Sequence, residues 1–326
     1  MRQVFITGGT GCIGSNLAAT LSANGVHVRT FRRPSSDTRA LDGIDVEYVP
    51  GDVREPASLR AAITGFDTVF HTAALVTFAA KERFRQMQVN VEGTRNVVQA
   101  CLDAGVSRLV HVSSVATIGP TIGAEPADES TPYGWGETPG YKYSKYLAEQ
   151  EVRKGIAKGL TAVFVNPTVV VGERDIHCHG SHFILAVKKG LVPLYIAGGM
   201  NVVYVGDVVR GIIAAGEKGR IGERYILGGH NMTHMDIFTR TAMIVGGRKP
   251  FARIPRLALL AVSGVLEAAS SLFGTKPLLA FDLARQAGLF LYYSSAKAER
   301  ELGYICSTFE EMVRAAYRWY KENGFI

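Results

Sequence analysis

The segment Thr7-Gly-Gly-Thr-Gly-Cys-Ile-Gly14 carries the strongest indication of fold in this chain. It follows an apolar, strand-like run, Gln3-Val-Phe-Ile-Thr7, and precedes a helical pattern, Ser15-Asn-Leu-Ala-Ala-Thr-Leu21. A helix N-terminus offers unpaired N–H groups and a partial positive charge, so a pyrophosphate binds there when glycines let the backbone come close. Because the glycine motif lies between a strand and a helix, it predicts a dinucleotide-binding loop.

Strand-like and helical patterns alternate through the first half of the chain. Strands are predicted at residues 3–7, 26–31, 46–49, 68–71, 108–113 and 161–166, and helices near 12–24, 57–64, 82–104 and 141–158. Nearly continuous apolar strands separated by helices indicate a parallel sheet covered on both faces. The prediction is an α/β fold with a doubly wound parallel sheet of the Rossmann type, which binds its ligand at the carboxyl ends of the strands.

The alternation weakens after about residue 170. We predict a dinucleotide-binding domain over residues 1–168 and a smaller, partly interleaved C-terminal domain over 169–326 that mainly binds substrate. Within the second part, about 202–218 is expected to return to the first domain. A length of 326 residues fits two domains and a sizeable core without disulfides.

Composition and charge narrow the class of protein. Hydrophobic residues make up 47% and charged residues 20%, as in ordinary soluble globular proteins. The net charge is +7, but Lys and Arg are spread along the chain without an aromatic-interleaved basic tract, so nucleic-acid binding is not expected. Scattered cysteines at 12, 101, 178 and 306 indicate free thiols in a reducing cytosol. With a strand predicted from residue 3 and so no signal peptide, we predict a cytoplasmic location.

Three segments of the last third are strongly apolar: residues 257–266, 277–281 and 289–293. The first ends at Glu267, short of the roughly 20 residues that span a bilayer, so stable membrane insertion is not expected. We interpret it as a core or substrate-lid helix rather than an interfacial anchor, and leave weak peripheral membrane association open. The three segments suggest a hydrophobic or aromatic substrate, or else core or the surface of a homodimer.

The end of the second predicted strand bears on the choice between NAD and NADP. An acidic residue there binds the adenosine ribose hydroxyls, whereas an arginine accommodates the 2′-phosphate of NADP. Here the strand runs into Arg32-Arg33-Pro34-Ser35-Ser36, and no acid comes before Asp37. Arg32 is predicted to contact the phosphate with help from Arg33 or Ser35, which favours NADP(H). The alternative is a pair of solvated surface arginines.

Ser114, Tyr141 and Lys145 form a candidate hydride-transfer site. Tyr141 and Lys145 are four residues apart on a predicted helix and share one face. An ammonium group nearby is expected to lower the pKa of the tyrosine, which suits a proton donor near neutral pH. Ser114, at the end of the fifth strand, can stabilise charge on the same carbonyl oxygen. A second match, Tyr317-Arg-Trp-Tyr-Lys321, lacks a partner serine and is interpreted as packing plus a solvated lysine.

Other segments complete the pattern: Gly51-Asp52, His71-Thr-Ala-Ala74, Asn90-Val-Glu-Gly-Thr94, Val112-Ser-Ser114, Tyr141-Lys-Tyr-Ser-Lys-Tyr-Leu-Ala-Glu149 and Asn166-Pro-Thr168. With the glycine loop, they resemble the extended short-chain dehydrogenases/reductases over nearly the whole chain. Within that group the chain is most similar to dihydroflavonol 4-reductase-like proteins, including the bacterial branch labelled hopanoid-associated sugar epimerases. The resemblance implies that Ser114, Tyr141 and Lys145 are catalytic and that Lys145 also holds the nicotinamide ribose.

The predicted cofactor site combines the glycine loop, the arginines and this resemblance. Asp52 is placed to reach adenine, and small residues after the fourth strand let the cofactor pass closely. The resemblance implies that Pro167 and Thr168 lie against the nicotinamide and that Asn90 is structural and close to the active site. The predicted cofactor-binding residues are Thr7, Gly8, Gly11, Cys12, Ile13, Gly14, Arg32, Arg33, Asp52, Val53, Thr72, Ala73, Ala74, Asn90, Val112, Tyr141, Lys145, Pro167 and Thr168.

The segment Arg174-Asp-Ile-His-Cys-His-Gly-Ser-His182 departs from the Pro/Thr-rich loop expected of the bacterial branch. Its histidines and cysteine resemble a metal cluster, but a metal site needs fixed geometry and hydrogen bonds that orient the ligands. We favour a polar substrate loop and no metal. The predicted substrate-binding residues are Ser114, Tyr141, His177, His179 and His182.

These observations predict an enzyme that uses NADPH to reduce a ketone or aldehyde on a small hydrophobic or aromatic substrate. The nicotinamide would supply the hydride and Tyr141 the proton. An alternative in the same group is an NAD(P)-dependent nucleotide-sugar epimerase or dehydratase, but the resemblance implies an acid in place of Arg32 in NAD-linked epimerases. An alternative of another class is a non-catalytic NADP-binding sensor or scaffold. Such proteins tend to lose the serine, tyrosine or lysine, all of which this chain retains.

Overall fold

The computed structural model of the protein describes residues 1–121, 123–272 and 287–326. The apolar segment 277–281 therefore lies outside the described residues. The strands are β1 Gln3–Thr7, β2 His27–Arg32, β3 Glu47–Pro50, β4 Thr68–His71, β5 Arg108–Val112, β6 Ala162–Pro167, β7 Val169–Val171, β8 Leu194–Tyr195, β9 Gly199–Tyr204, β10 Arg224–Leu227, β11 His230–Thr233, β12 Ala252–Arg253 and β13 Phe290–Leu291. The helices are α1 Cys12–Ala23, α2 Pro56–Ile63, α3 Arg83–Met87, α4 Gly93–Asp103, α5 Tyr141–Ala157, α6 His182–Lys188, α7 Val205–Lys218, α8 His234–Val245, α9 Arg256–Leu272, α10 Ala296–Leu302 and α11 Phe309–Glu322.

A seven-stranded sheet in the order β10-β6-β5-β4-β1-β2-β3 forms the centre of the molecule. All of its strand pairs are parallel. Strands β4 and β6 are buried along their whole length, as their apolar sequences require in a sheet covered on both sides. Helices α1 and α7 pack on one face, and α2, α4 and α5 pack on the other. The predicted doubly wound parallel sheet is confirmed.

The strand order reverses beside β1, and this reversal positions the ligand site. From β1 the chain continues to β2 and β3 on one side, whereas β4, β5 and β6 follow on the other. The helices that follow β1 and β4 therefore pack on opposite faces of the sheet, and a doubly wound sheet has its binding crevice at such a point, at the carboxyl ends of the strands. The glycine loop connects β1 to α1 at this crevice.

A smaller layer lies next to the central sheet. Strand β9 pairs with β7, β11 and β13, and β8 pairs with β12. Helices α6, α8 and α11 cover the four-stranded sheet through an apolar cluster that includes Ile184, Ile237 and Phe309. Thr308 and Glu311 form a capping box at the start of α11. Within the described ranges, every helix is too short or too polar to span a lipid bilayer.

The helix predicted near 82–104 is interrupted. Residues Gln88–Glu92 form a π-helical turn between α3 and α4. A π turn carries one more residue than an α turn, which rotates the following side chains. Asn90, inside this turn, is buried and points its amide at α5, where Nδ2 donates to the Ser144 hydroxyl over 2.9 Å.

Candidate active site

Three glycines of the loop after β1 are required for different physical reasons. Gly8 has φ +74°, and a Cβ there would lie 2.6 Å from the backbone of Ala73. A Cβ on Gly14 would lie 2.3 Å from the Gly8 carbonyl oxygen, so this glycine lets α1 pack against the loop. Gly11 is the N-cap of α1, and a Cβ there would meet only the Gly8 oxygen, at 3.4 Å. The backbone at Gly11 thus offers a cradle at the positive end of α1 that an anion can approach.

The side of this crevice at the end of β2 is basic. Arg32 ends β2, and its Cζ lies 5.1 Å from the centre of the Tyr48 ring. Its Nε is buried and has no hydrogen-bond partner among the described residues. A buried guanidinium donor without a partner is costly, which indicates a missing acceptor. Arg33, next in the chain, is exposed.

Asp52, predicted to reach adenine, is already engaged by a neighbour. Arg54 donates from its backbone N–H to Asp52 Oδ1 over 2.9 Å and from Nη2 to Oδ2 over 2.7 Å. Burial opposes ionisation of Asp52, but these hydrogen bonds outweigh it and lower the pKa of the carboxyl. Asp52 is therefore a fixed carboxylate beside β3.

The structure brings Ser114 and Tyr141 together. Ser114 follows β5, and its Oγ accepts from the backbone N–H of Ala116 over 3.1 Å. Tyr141 is the first residue of α5, and its side chain hydrogen-bonds that of Ser114. Burial raises the pKa of the Tyr141 phenol, and the hydrogen bond opposes the rise. The expected lowering of the tyrosine pKa is thus absent in the protein alone, because burial exceeds the effect of its neighbours.

Lys145 lies one turn further along α5 and is 2% exposed. Its Nζ donates to the Val112 carbonyl oxygen over 2.9 Å. Burial lowers the pKa of Lys145 to about 8, and the negative charge of Glu149 acts in the opposite direction. The ammonium group is therefore fixed at the end of β5, where the negative charge of the buried Glu149 acts on it.

Glu149, at the end of the tyrosine–lysine motif, has a role in the site that the sequence did not predict. Its Oε1 accepts from Ser113 over 2.6 Å, from Thr117 over 2.9 Å and from Asn166 over 2.9 Å. These bonds join α5 to the carboxyl ends of β5 and β6, from which the site is built. The four-residue step from Lys145 to Glu149, which puts both residues on one face of α5, is the signal that could have pointed to Glu149.

Comparison with known proteins decides the family. The sequence profile of the NAD dependent epimerase/dehydratase family matches residues 4–228. The chain belongs to that family. Its matched segment contains the glycine loop, Ser114, Tyr141 and Lys145. Members of the NAD dependent epimerase/dehydratase family are oxidoreductases and epimerases that use a nicotinamide dinucleotide, and the glycine cradle and the unpartnered Arg32 Nε fit such a ligand.

Relatives within the family cover the chain from end to end. A Synechocystis sp. protein provisionally named dihydroflavonol 4-reductase is 33% identical over 99% of this chain and 95% of its own length. Sterol demethylase protein B of Methylococcus capsulatus is 31% identical over 99% of both chains. The crystal structure of gox2253 has the same fold, with a TM-score of 0.87 and 37% identity over 99% of both chains.

Thr168, which is predicted to lie against the nicotinamide, is connected by hydrogen bonds to the smaller layer of the protein. Thr168 Oγ1 donates to Asn201 Oδ1 over 2.8 Å, and Asn201 Nδ2 donates to Asn231 Oδ1 over 2.7 Å. The same Asn231 oxygen accepts from the Tyr293 N–H over 3.0 Å. Sequence reasoning missed Asn201, because a single asparagine within an apolar strand carries no spacing signal.

The segment Arg174–His182, named the histidine loop, contacts the part of the chain that follows β2. Arg174 Nη1 donates to the Ala40 carbonyl oxygen over 2.7 Å, beyond the end of β2. In the segment after β2, hydrogen bonds from Arg39 lower the pKa of Asp37 to about 2. The histidine loop therefore lies beside the segment that connects β2 to β3. The substrate roles of His177, His179 and His182 stay predictions.

Asp175 shapes this loop. Its carboxylate accepts from the backbone N–H groups of His179, Gly180 and Ser181, each over 3.1 Å. In the part of the chain that the structure describes, no group of three or more His, Cys, Asp or Glu side chains is arranged to hold a metal ion.

His71, at the end of β4, has a structural environment. Its ring nitrogens hydrogen-bond Thr7 Oγ1 at 2.7 Å and Thr94 Oγ1 at 2.9 Å. Burial, followed by the charge of Lys145, lowers the pKa of His71 to about 3. A neutral imidazole thus connects β1, β4 and α4 beneath the crevice.

Substitution of Lys145 by Met should reveal the buried charge without any substrate. In the unfolded chain a lysine has a pKa of about 10.4, so between pH 8 and 10.4 the unfolded state binds more protons. Below about pH 8 the buried ammonium destabilises the folded protein to its full extent. This destabilisation decreases as the pH rises, because the folded protein loses the proton. Urea unfolding gives the free energy of unfolding of Lys145→Met and of the unmodified protein at each pH. The variant's value minus that of the unmodified protein should fall by about 2 kcal/mol between pH 7 and pH 9.5.

Lys154→Met is the control, because Lys154 is an exposed residue of the same helix. Its effect on stability should change little over the same pH range. An equally flat difference for Lys145→Met would show that Lys145 does not carry a buried charge in the folded protein.

Proposed function

We propose that the protein is an NADPH-dependent reductase that converts a ketone or aldehyde to an alcohol, with Tyr141 as proton donor. The observation that carries this proposal is the contact between Ser114 and Tyr141, with the Lys145 ammonium one helical turn away. A carbonyl oxygen placed against both hydroxyls would receive a hydrogen bond from each. The glycine cradle at α1 would hold the pyrophosphate on the same side of the sheet.

Each of the three side chains has a distinct task in this reaction. The nicotinamide supplies the hydride when bound. Tyr141 donates its phenolic proton to the carbonyl oxygen as negative charge develops there. Ser114 stabilises that charge, and the Lys145 ammonium favours the tyrosinate left after proton transfer. Glu149 keeps the ammonium aligned through the hydrogen bonds that fix α5 against β5 and β6.

The preference for NADPH rests on Arg32. The guanidinium lies over the Tyr48 ring at the end of β2, with one buried donor lacking a partner. A 2′-phosphate at this position would supply acceptors for Nε, and the stacked ring would hold the planar guanidinium in place. No acidic residue comes between Arg32 and Asp37 in the chain.

Arg32→Gln should reduce the preference for NADPH over NADH. Loss of charge-assisted hydrogen bonds is expected to weaken NADPH binding by about 10- to 100-fold and to leave NADH binding nearly unchanged. Calorimetric titration of both cofactors measures this ratio. Arg39→Gln is a matched control, because the Arg39 side chain is 64% exposed and already paired with Asp37. An unchanged ratio in Arg32→Gln would remove the argument for NADP.

Two relatives, whose names refer to a dihydroflavonol and a sterol, support a proposal about the substrate class. We propose a small, hydrophobic or aromatic carbonyl compound. A panel of ketones and aldehydes, followed by NADPH absorbance, tests this proposal. Oxidation of NADPH with aromatic or polycyclic ketones is expected.

Nucleotide-sugar epimerisation is the second candidate, because the family includes epimerases. An epimerase keeps its NAD tightly bound, so NAD should stay on the protein through purification. Mass spectrometry of the purified protein separates the two: an empty site supports the reductase, whereas bound NAD with no activity on the carbonyl panel supports the epimerase.

A further inference from the structure

A two-stranded contact brings two exposed parts of the chain together. Strand β12 pairs in parallel with β8, and the N–H of Phe251 donates to the carbonyl oxygen of Pro193 over 2.9 Å. Helix α9 begins three residues after β12, at Arg256. Residues 189–195 and 248–262 are called the α9 surface below.

Large apolar side chains project from the α9 surface into solvent. Leu257 is 82% exposed, Phe251 is 80% exposed and Leu191 is 69% exposed. Removing one such side chain from water favours association by roughly tenfold or more. Single exposed apolar residues are common, but several in adjoining segments indicate a surface that binds another protein or a membrane.

The same surface is basic. Arg248, Lys249, Arg253 and Arg256 are all exposed, and none of the four forms an ion pair within the described part of the chain. The sequence contains no Asp or Glu from residue 238 to residue 266. The exposed apolar side chains therefore stand among cations that have no acidic neighbours along this part of the sequence.

The exposure of Leu257 and Val262 does not fit the core helix expected for residues 257–266. We propose that the α9 surface docks the protein on an anionic lipid membrane. Phe251 and Leu257 would enter the boundary between headgroups and acyl chains, and the four basic side chains would contact lipid phosphates. Arginine and lysine suit this position, because their apolar stems lie along the acyl surface while their charged ends stay in the headgroup layer. The proposal is independent of the reaction assigned to Tyr141.

A second copy of the chain fits this surface less well. In a two-fold contact the same surface meets itself, so the cations of one copy would face those of the other. Like charges brought together oppose association, whereas an anionic bilayer offers phosphate groups across the whole docking area. Charge complementarity therefore selects the lipid surface.

Co-sedimentation of the full chain with vesicles tests the proposal. Binding is expected to vesicles that contain phosphatidylglycerol and not to phosphatidylcholine alone, and high salt should weaken it. The double variant Phe251→Ser/Leu257→Ser should bind at least about tenfold more weakly. Arg253→Gln/Arg256→Gln should bind about 25-fold more weakly, since each cation near an anionic bilayer contributes about fivefold.

Matched controls change the same residue types elsewhere. Ile305, which is 75% exposed, is replaced by Ser, and the exposed Arg314 and Arg318 of α11 are both replaced by Gln. Both controls should bind vesicles like the unmodified protein. Absence of binding to phosphatidylglycerol vesicles, or equal losses in the controls, would overturn the proposal. The proposal would also be overturned if light scattering showed a dimer and the Leu257→Arg substitution dissociated it.

Discussion

Tyr141→Phe is expected to lower turnover of the best carbonyl substrate by about 10²- to 10⁴-fold, because it removes the proton donor and leaves the ring in place. The phenol contacts Ser114, and the aromatic ring packs edge-on against Phe78 at 6.0 Å between ring centres. Only the hydroxyl is lost, so the affinity for NADPH should change little. Steady-state rates and calorimetric NADPH titration of the same preparation measure both quantities.

The chain supplies its own control for this variant. Tyr317 begins the second Tyr-x-x-x-Lys match, on α11, where it packs beside the apolar cluster of the smaller layer. Tyr317→Phe should keep normal turnover. Near-normal turnover in Tyr141→Phe, or similar losses in both variants, would contradict the assignment of Tyr141.

The variants Gly14→Ala and Gly11→Ala should both lose NADPH affinity, but only Gly14→Ala should also lose much stability. A methyl group on Gly14 would overlap the Gly8 carbonyl oxygen at 2.3 Å and Thr72 Oγ1 at 2.8 Å, so α1 or the loop must move. We expect a loss of about 1–3 kcal/mol in stability together with loss of NADPH binding. A methyl group on Gly11 meets only the Gly8 oxygen, at 3.4 Å, so stability should change by less than about 1 kcal/mol.

Gly11→Ala should nevertheless bind NADPH at least tenfold more weakly, because its methyl group keeps the pyrophosphate away from the backbone N–H groups of α1. Thermal unfolding and calorimetric titration of the two variants separate packing from ligand approach. If Gly11→Ala bound NADPH normally, the pyrophosphate would not lie at this N-terminus.

Local sequence was sufficient to predict the central sheet. The apolar strands and the glycine loop carry their signal within short segments, and the parallel sheet of the structure agrees with the prediction. The serine, tyrosine and lysine were identified by spacing and by their order relative to the strands. Their roles, the division into domains at residue 168 and the NADP preference stay predictions.

Tertiary contacts account for what the sequence did not reveal. Glu149 and Asn201 have their effect through partners far away in the chain, Asn166 and Asn231 among them. The π turn before α4 is not predicted by the helix propensities of its residues. The position of the histidine loop depends on the hydrogen bond from Arg174 to the Ala40 carbonyl oxygen, which joins distant parts of the chain. The raised pKa of Tyr141 likewise comes from burial, which residue spacing does not report.

The path of the chain also limits how this protein can be recombined with its relatives. After β6 the chain leaves the seven-stranded sheet to build β7 and β9, returns with α7 and β10, and leaves again at β11. β9 pairs with β7 from the first excursion and with β11 and β13 from the second. A chimera with a foreign pocket must therefore exchange residues 169–204 and 228–326 together, since either graft alone would split one sheet between two parents.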